Sequence, residues 1–269
     1  MIDMITLDTN SLQWLLSLMQ RKQNIDGKSF AQVHSVLLKV ENGRLIGTAL
    51  VKDGVSSLNR LSIPCTGEGI VPVTSIDNWL GALKYHSSPL SITPKEGKVT
   101  LKSGRKQTTL TASSEALAFP HTPDTMATWA EKSESIADKL SIDKYIGGDG
   151  KEYPHMVKIA ELDSTDLYEA FRCDEMNGQK HNEFRIIGKY EGLFVNVGTE
   201  LKGKTTTQIS EGEFPVVFDA TFNGGLDYVF KNLNSKVDIS FFDFTAMGQG
   251  IKMFIDLGDG DFIFQASNL

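Results

Sequence analysis

Leu12, Leu15, Leu16 and Met19 recur at helical spacing near the start of the chain, and Leu167, Ala170 and Phe171 do so in its second half. Each run follows a cluster of Asp, Thr and Ser, in "LDTNSLQWLL" (7–16) and "LDSTDLYEAF" (162–171). Such side chains accept hydrogen bonds from the free N–H groups of a first helical turn, so both clusters predict an N-cap. A short strand-like stretch precedes each, "MITL" and "MVKIAEL".

A second pair of segments matches at an offset of 147, "TSIDNWLGALKYHSSPLSI" (74–92) against "TFNGGLDYVFKNLNSKVDI" (221–239). Trp79 meets Leu226, Ala82 meets Val229, Leu83 meets Phe230, Lys84 meets Lys231 and Ile92 meets Ile239. Each segment predicts a helix of about three turns entering an alternating strand. Both halves end alike, in "TLTAS" (109–113) and "IFQAS" (263–267). Two similarities in the same order point to an internal duplication, and the change of offset implies loops of different length.

Between the helices lie strand patterns. The first half has "AQVHSVLLKVENGRLIGTALV" and "SSLNRLSIPC", with turns at Asn42-Gly43 and Asp53-Gly54, then "LSITP", "KVTLKSG" and "QTTLTAS". The second has "EFRIIGKYEGLFVNVGTELKGKTTTQIS", "FPVVFDA", "VDISFF" and "IKMFIDLGDGDFIFQAS". Many strands with two helices per half predict an α+β fold, both helices on one face of an antiparallel sheet. The expected domains are 1–114 and 154–269. Residues 115–153 form a connector with a partly ordered insertion, in which "DTMATWAEKSESIADKL" is a candidate helix.

The net charge of −7 is unevenly spread: the three segments carry +5, −4 and −8 in chain order. Halves of opposite sign suit head-to-tail attraction between copies. Cys65 and Cys173 stand far apart with no CxxC, and the five histidines show no metal spacing. A reducing compartment is expected, and no cofactor or metal. The N-terminus lacks the basic and apolar regions of a signal peptide, and no apolar run reaches membrane length.

One motif invites an enzyme reading. "GTELKGKT" (198–205) fits G-x-x-x-x-G-K-[ST] in full, the pattern of a phosphate-binding P-loop. A P-loop needs a helix next, whose N–H groups hold the phosphates. Here three threonines and an isoleucine favour a strand, and Pro215 follows too soon for a crossover helix. The segment predicts a hairpin with Lys202-Gly203-Lys204 at its turn. "GDGDF" (258–262) is acidic, but it lacks a twelve-residue calcium loop and reads as a solvated hairpin turn. No nucleophile elbow is present.

A duplicated unit of this kind, carried by "LDTNSL" with "LDSTDL", "WLGALK" with "LDYVFKNL" and the closing strands, resembles the DNA sliding clamps. The particular likeness is to the two-domain type, such as proliferating cell nuclear antigen and the phage clamps. The length suits that type and is short for the three-domain bacterial dimer. The resemblance implies a closed, duplicated DNA-clamp ring, a head-to-tail homotrimer whose helices face duplex DNA without reading its sequence. It implies a processivity factor, not an enzyme, serving a replicative DNA polymerase and opened by a separate clamp loader ATPase. Its setting would be cytoplasmic, at the nucleoid or a viral replication site.

The same resemblance implies roles for residues. The DNA-facing candidates are Arg21, Lys22, Lys84, His86, Arg172, Lys180, Lys231 and Lys236, with Gln20, Asn24 and Asn232 beside them. Glu169, Asp174 and Glu175 surround Arg172, so the second domain is expected to attract DNA less than the first. Subunits would join through "QTTLTAS", with Thr108 and Leu110, and "KTTTQIS", with Thr206, Gln208 and Ile209. Clients would dock by short peptides near Val55, Leu117, Phe119, Phe264 and Leu269. Two other readings stay open: a monomeric or dimeric accessory factor gripping DNA by charge, which −7 disfavours, and a duplicated α+β enzyme.

Overall fold

The computed structural model describes residues 4–20, 22–25, 28–31, 35–50, 57–112, 144–146, 152–154, 157–176, 183–199, 203–212, 217–223, 226–248 and 250–268. The chain divides into two compact units. One is drawn from Met1–Gln20, Gln32–Gly54 and Leu58–Ser135, the other from Arg21–Ala31, Val55–Ser57 and Ile136–Leu269. The candidate helix in the connector and the turn at Asp53-Gly54 lie outside the described residues.

The first half runs β1 (Ile5–Leu7), α1 (Thr9–Met19), the hairpin β2 (Lys22–Ile25) and β3 (Lys28–Ala31), β4 (Val36–Glu41), β5 (Arg44–Leu50), β6 (Ser57–Gly67), β7 (Ile70–Val73), α2 (Ile76–Leu83), β8 (Leu90–Lys95), β9 (Lys98–Ser103) and β10 (Lys106–Thr111). A short pair follows, β11 (Lys144–Ile146) with β12 (Glu152–Pro154). The second half runs β13 (Val157–Asp163), α3 (Ser164–Met176), β14 (Glu183–Lys189), β15 (Gly192–Thr199), β16 (Gly203–Glu211), β17 (Phe218–Asn223), α4 (Leu226–Phe230), β18 (Lys236–Asp243), β19 (Ile251–Gly258) and β20 (Asp261–Ala266). Every described register is antiparallel, so the fold is α+β with antiparallel sheets.

Within the first unit the pairing order is β10-β9-β8-β1-β6, and β6 continues through β5 and β4 to β7. Within the second it is β20-β19-β18-β13 and, separately, β16-β15-β14-β17. Setting aside β2 and β3, the two halves show the same order of elements and the same neighbours. They differ in that β6 pairs with β1, where Gly67 has φ +102 and its α-carbon lies so close to the Met4 carbonyl that a Cβ would collide.

The helices form because one face of each is apolar. Leu12, Leu15, Leu16 and Met19 of α1 are fully buried, and so are Leu167 and Ala170 of α3 to within 1 %. Asp8 caps α1, its Oδ2 accepting the Ser11 N–H at 2.7 Å, and Ser75 caps α2 through Asn78 N–H at 3.3 Å. In front of α3, Asp163 Oδ1 accepts the Thr165 N–H at 2.7 Å. In the first unit α1 packs on β5 and beside α2. Gly47 makes room there: a Cβ would lie 3.0 Å from Leu15 and 3.1 Å from Met19. In the second unit α3 packs on β13, β15 and β16 and beside α4.

Trp79, Leu83, Leu226, Val229 and Phe230 are buried, as the matched pattern expects. Their helices are shorter than the three turns expected, with 8 residues in α2 and 5 in α4. In α4 the N–H groups of Asn232 and Leu233 bond three residues back, so the last turn tightens and ends at Asn234-Ser235.

Registers repeat as well. In the first unit Ile5 pairs with Ile92 and Leu7 with Leu90. In the second Ile159 pairs with Ile239 and Leu162 with Val237. The strand β13 holds one residue more than β1 between these pairs, a bulge at Glu161, whose φ is +57. Turns follow their sequences. Asn42-Gly43 (φ 48 and 74) and Asp259-Gly260 (φ 53 and 78) are two-residue hairpin loops with both φ positive. The acidic "GDGDF" is therefore a hairpin turn.

Candidate nucleic-acid interface and sheet edges

The solvent face of α1 is polar and uncharged. Asn10 and Trp14 are exposed, and Ser11, Gln13 and Ser17 are half-buried. On α2 the exposed groups are Asp77, Asn78 and, just past its end, Lys84 and Tyr85. Gln20 does not join them: it is 1 % exposed, and its Nε2 donates to Asp77 Oδ1 at 2.6 Å, tying the end of α1 to the start of α2. Arg21 lies outside the described residues, as do the side chains of Lys22 and Asn24. Among the described residues, then, these two helices and Lys84 present one lysine and one aspartate, not a basic stripe.

His86 corrects the sequence reading. It is 9 % exposed, with Nδ1 2.9 Å from Ser103 Oγ and Nε2 2.8 Å from Thr108 Oγ1. A ring committed at both nitrogens and turned inward is withdrawn from any phosphate-facing surface.

In the second unit Lys231 is exposed at the end of α4, the position that Lys84 holds at the end of α2. A cation there also meets the negative end of the helix dipole. Arg172 pairs with Glu169 at 2.9 Å and lies 5.2 Å from the Tyr168 ring centroid. Lys236 pairs with Glu161 at 3.3 Å. Asp166 and Asp227 stand on the same two helices, Lys180 lies outside the described residues, and so do the side chains of Asp174 and Glu175.

Among the described residues five strands end the larger sheets: β7, β10, β13, β16 and β17. A bare edge strand offers unpaired N–H and C=O groups to another chain, and proteins block edges that are not meant to pair. The β7 edge carries Pro72, which has no N–H to offer. The β13 edge is kinked by its bulge. Along β17 the Asn268 N–H donates to the Thr221 carbonyl at 2.7 Å, and its side chain to Glu183 Oε1 at 2.8 Å. The remaining two, β10 and β16, carry no proline and are rich in threonine. On β10 Thr108 and Leu110 are half-buried between exposed Gln107, Thr109 and Thr111. On β16 Thr206 and Gln208 are exposed, and Ile209 sits at a register shift that leaves Gly203 to Gln208 regular.

The sheet β18-β19-β20 is apolar on both faces. Phe241, Met253, Ile255 and Ile263 alternate with Phe242, Phe254 and Phe262, and all are buried. At the rim of the second face Lys252 Nζ lies 4.1 Å from the Phe244 centroid and 5.8 Å from that of half-buried Phe264. Burial holds the Lys252 ammonium below its ordinary pKa. Of the client-docking candidates Phe264 alone is described; Val55, Leu117, Phe119 and Leu269 are not.

The P-loop pattern falls on a β-hairpin. Gly198 pairs with Lys204 and Val197 with Thr205, and β16 runs on as a strand to Glu211. The residues after the lysine are a strand where a P-loop has a helix, and residues 200–202 lie outside those described. Among the described residues no cluster of His, Cys, Asp or Glu suits a metal ion, and no helix is long and apolar enough to cross a membrane.

This arrangement of strands and helices has close counterparts among solved structures. A DNA polymerase sliding clamp from Pseudomonas aeruginosa matches 99 % of this chain and 67 % of its own at a TM-score of 0.62 and 13 % identity. The DNA polymerase III beta subunit of Thermotoga maritima matches 99 % and 65 % at 0.63 and 12 %. A sliding clamp from Bacillus subtilis matches 99 % and 64 % at 0.64 and 14 %. The chain has the sliding-clamp fold. It spans about two thirds of the length of these bacterial clamps. No protein-family model matches the sequence, and no curated protein does.

The sequence left two features of the site unread. The hairpin β2–β3 has no counterpart among the described residues of the second half, and its polar "KQNI" and "KSFA" carry no alternation to announce strands. The inward turn of His86 has no local signal either, since Ser103 and Thr108 lie 17 and 22 residues away.

Proposed function

We propose that this chain is a sliding clamp, a non-enzymatic ring that encircles duplex DNA and tethers a polymerase. The observation that carries it is the pair of edges, β10 and β16, that carry no proline and no second strand among the described residues, whereas β7 holds a proline, β13 a bulge and β17 the Asn268 bonds. Two different edges on one chain suit heterologous, head-to-tail joining, which closes when the rotation per step divides a full turn. The matched order of elements supports an ancient duplication, with domains at 1–114 and 154–269 joined by 115–153. Three copies would then supply six similar units, a homotrimer of three times 29.6 kDa.

Lys84 and Lys231, at matched helix ends, are the leading phosphate contacts, and Arg21, Lys22 and Lys180 are further candidates. Arg172 and Lys236 contribute less, since each already faces a carboxylate. Contacts of this kind reach phosphates and carry no sequence preference, so affinity is weak and salt-sensitive and topology holds the ring in place. Client peptides fit best at the rim around Phe264. A replicative polymerase and a clamp loader are the partners this reading requires, in the compartment where DNA is copied.

The test is retention on circular DNA. Loaded on a nicked circle, the chain should stay bound through a high-salt wash and be lost when the circle is cut. Release from circle and linear DNA alike would favour an accessory factor that grips by charge. Light scattering that gives only monomers at micromolar concentration would remove the trimer.

A further inference from the structure

His86 joins three elements through one ring. It follows α2, it reaches Ser103 on β9 through Nδ1 and Thr108 on β10 through Nε2, and the Ser87 N–H donates to the same Ser103 hydroxyl at 3.2 Å. Among the described residues β10 is the last strand of its sheet and its backbone ladder runs to β9 alone, while on its outer side the Thr74 hydroxyl donates to the Thr111 carbonyl at 3.0 Å. With one backbone ladder, its placement also draws on what its inward side chains hold. Thr108 and Leu110 are those side chains, and Thr108 is the one held by a specific hydrogen bond to the helix end.

We propose that His86 is the positioning residue of the β10 edge: its grip on Thr108 holds the strand in the shape to which a second copy of the chain adds. This rests on the reading of β10 as a joining edge. In the neutral ring one nitrogen donates and the other accepts, and each hydroxyl can supply the complement. The charged ring is opposed by burial and, from β10, by the Lys106 ammonium, which together hold the His86 pKa below 6.5. β9 presents the neutral Ser103, and the nearest groups on the helix end, Lys84 and Tyr85, are solvent-exposed. A base whose pKa is depressed in the folded edge keeps its brace above 6.5. As pH falls below that value, proton uptake favours states with the ring released, and self-association weakens.

Sedimentation of the full chain at about pH 8 and about pH 5.5 tests this, with His86→Leu, His86→Gln, Thr108→Val and the His86→Leu/Thr108→Val double variant. Losing one such bond is expected to weaken self-association about tenfold at the higher pH. The double variant should be no weaker than either single one, because both remove the same contact. His86→Gln, which keeps a hydrogen-bonding end, should recover part of the loss. The wild type should weaken at the lower pH, and His86→Leu should lose that dependence. A His86→Leu chain that assembles like the wild type at both pH values overturns the proposal, as does a pH dependence that survives in it. If the wild type never self-associates, the edge reading fails, and amide exchange decides the brace alone. In that case β10 amides exchanging about tenfold faster in His86→Leu uphold it, and unchanged exchange overturns it.

Discussion

Gly198 stands directly opposite Lys204 across the β15–β16 ladder. In a phosphate-binding loop the first glycine and the lysine belong to one turn that wraps an anion, with a helix starting at the lysine. Here they are cross-strand neighbours, and the lysine is followed by a strand, not a helix. Magnesium-ATP should leave the melting temperature unchanged in the wild type and in Lys204→Ala alike. A shift in the wild type that the substitution abolishes would restore the enzyme reading.

Matched core positions should fail by similar amounts in the two units. Leu83→Ala and Phe230→Ala each remove a buried side chain from the sheet-facing side of a helix, at positions 147 apart. Urea unfolding should show losses of about 2–5 kcal/mol for Leu83→Ala and about 3–5 kcal/mol for Phe230→Ala. Far smaller losses would mean that these helices are not seated as described.

These core faces are legible in sequence because burial imposes a period. Leu12, Leu15, Leu16 and Met19 could be placed from spacing alone, and so could the Asp8 cap and the Asn42-Gly43 turn, whose chemistry is local. That "QTTLTAS" and "KTTTQIS" are strands was legible in their threonine-rich patterns. What escaped depends on distant partners or on single extra residues. Glu161 looks like any strand residue, and only the pairing of Ile159 and Leu162 with β18 reveals the bulge. Gln20 and His86 read as solvent-facing because nothing near them in sequence announces Asp77 or Thr108. Short α4 escaped because its apolar run continues to Leu233 after the helix has tightened.

Asp8 should make the stability of α1 acid-sensitive. The Ser88 hydroxyl and the Ser11 N–H both donate to its carboxylate, the Ser88 bond contributing most, and they hold its pKa below 3.8. A depressed carboxylate stabilises the fold above 3.8, and that contribution is lost as pH falls through the lower folded value. Asp8→Ala should cost about 0.5–2 kcal/mol at neutral pH, the range for a lost N-cap, and should flatten the acid limb of the melting curve. An unchanged acid limb would assign the acid response to other carboxylates.

Lys84 and Lys231 should read out in salt dependence. Each lysine that touches a phosphate adds about one unit to the slope of log affinity against log salt. Lys84→Ala and Lys231→Ala should each weaken duplex binding on every sequence tested and lower that slope by about one. Arg172→Ala should do less, because Arg172 is already engaged by Glu169 and Tyr168. Anisotropy titrations over a range of salt measure all three, and an unchanged slope in both lysine variants would move the DNA face elsewhere.

The two open edges make a prediction that only heterologous joining satisfies. Leu110→Glu spoils β10 and leaves β16 intact, whereas Ile209→Glu does the reverse. Both side chains are only half-buried, so a charge there should block strand addition while urea unfolding still shows a folded chain. Each variant alone should sediment as a monomer. Mixed in equal amounts, they should form one junction, the sound β10 of one chain against the sound β16 of the other, and stop at a dimer that cannot close. If β10 paired with β10 instead, Ile209→Glu alone would still dimerise and the mixture would gain nothing. Sedimentation of the two variants, singly and mixed, separates these outcomes without needing DNA, a polymerase or a loader.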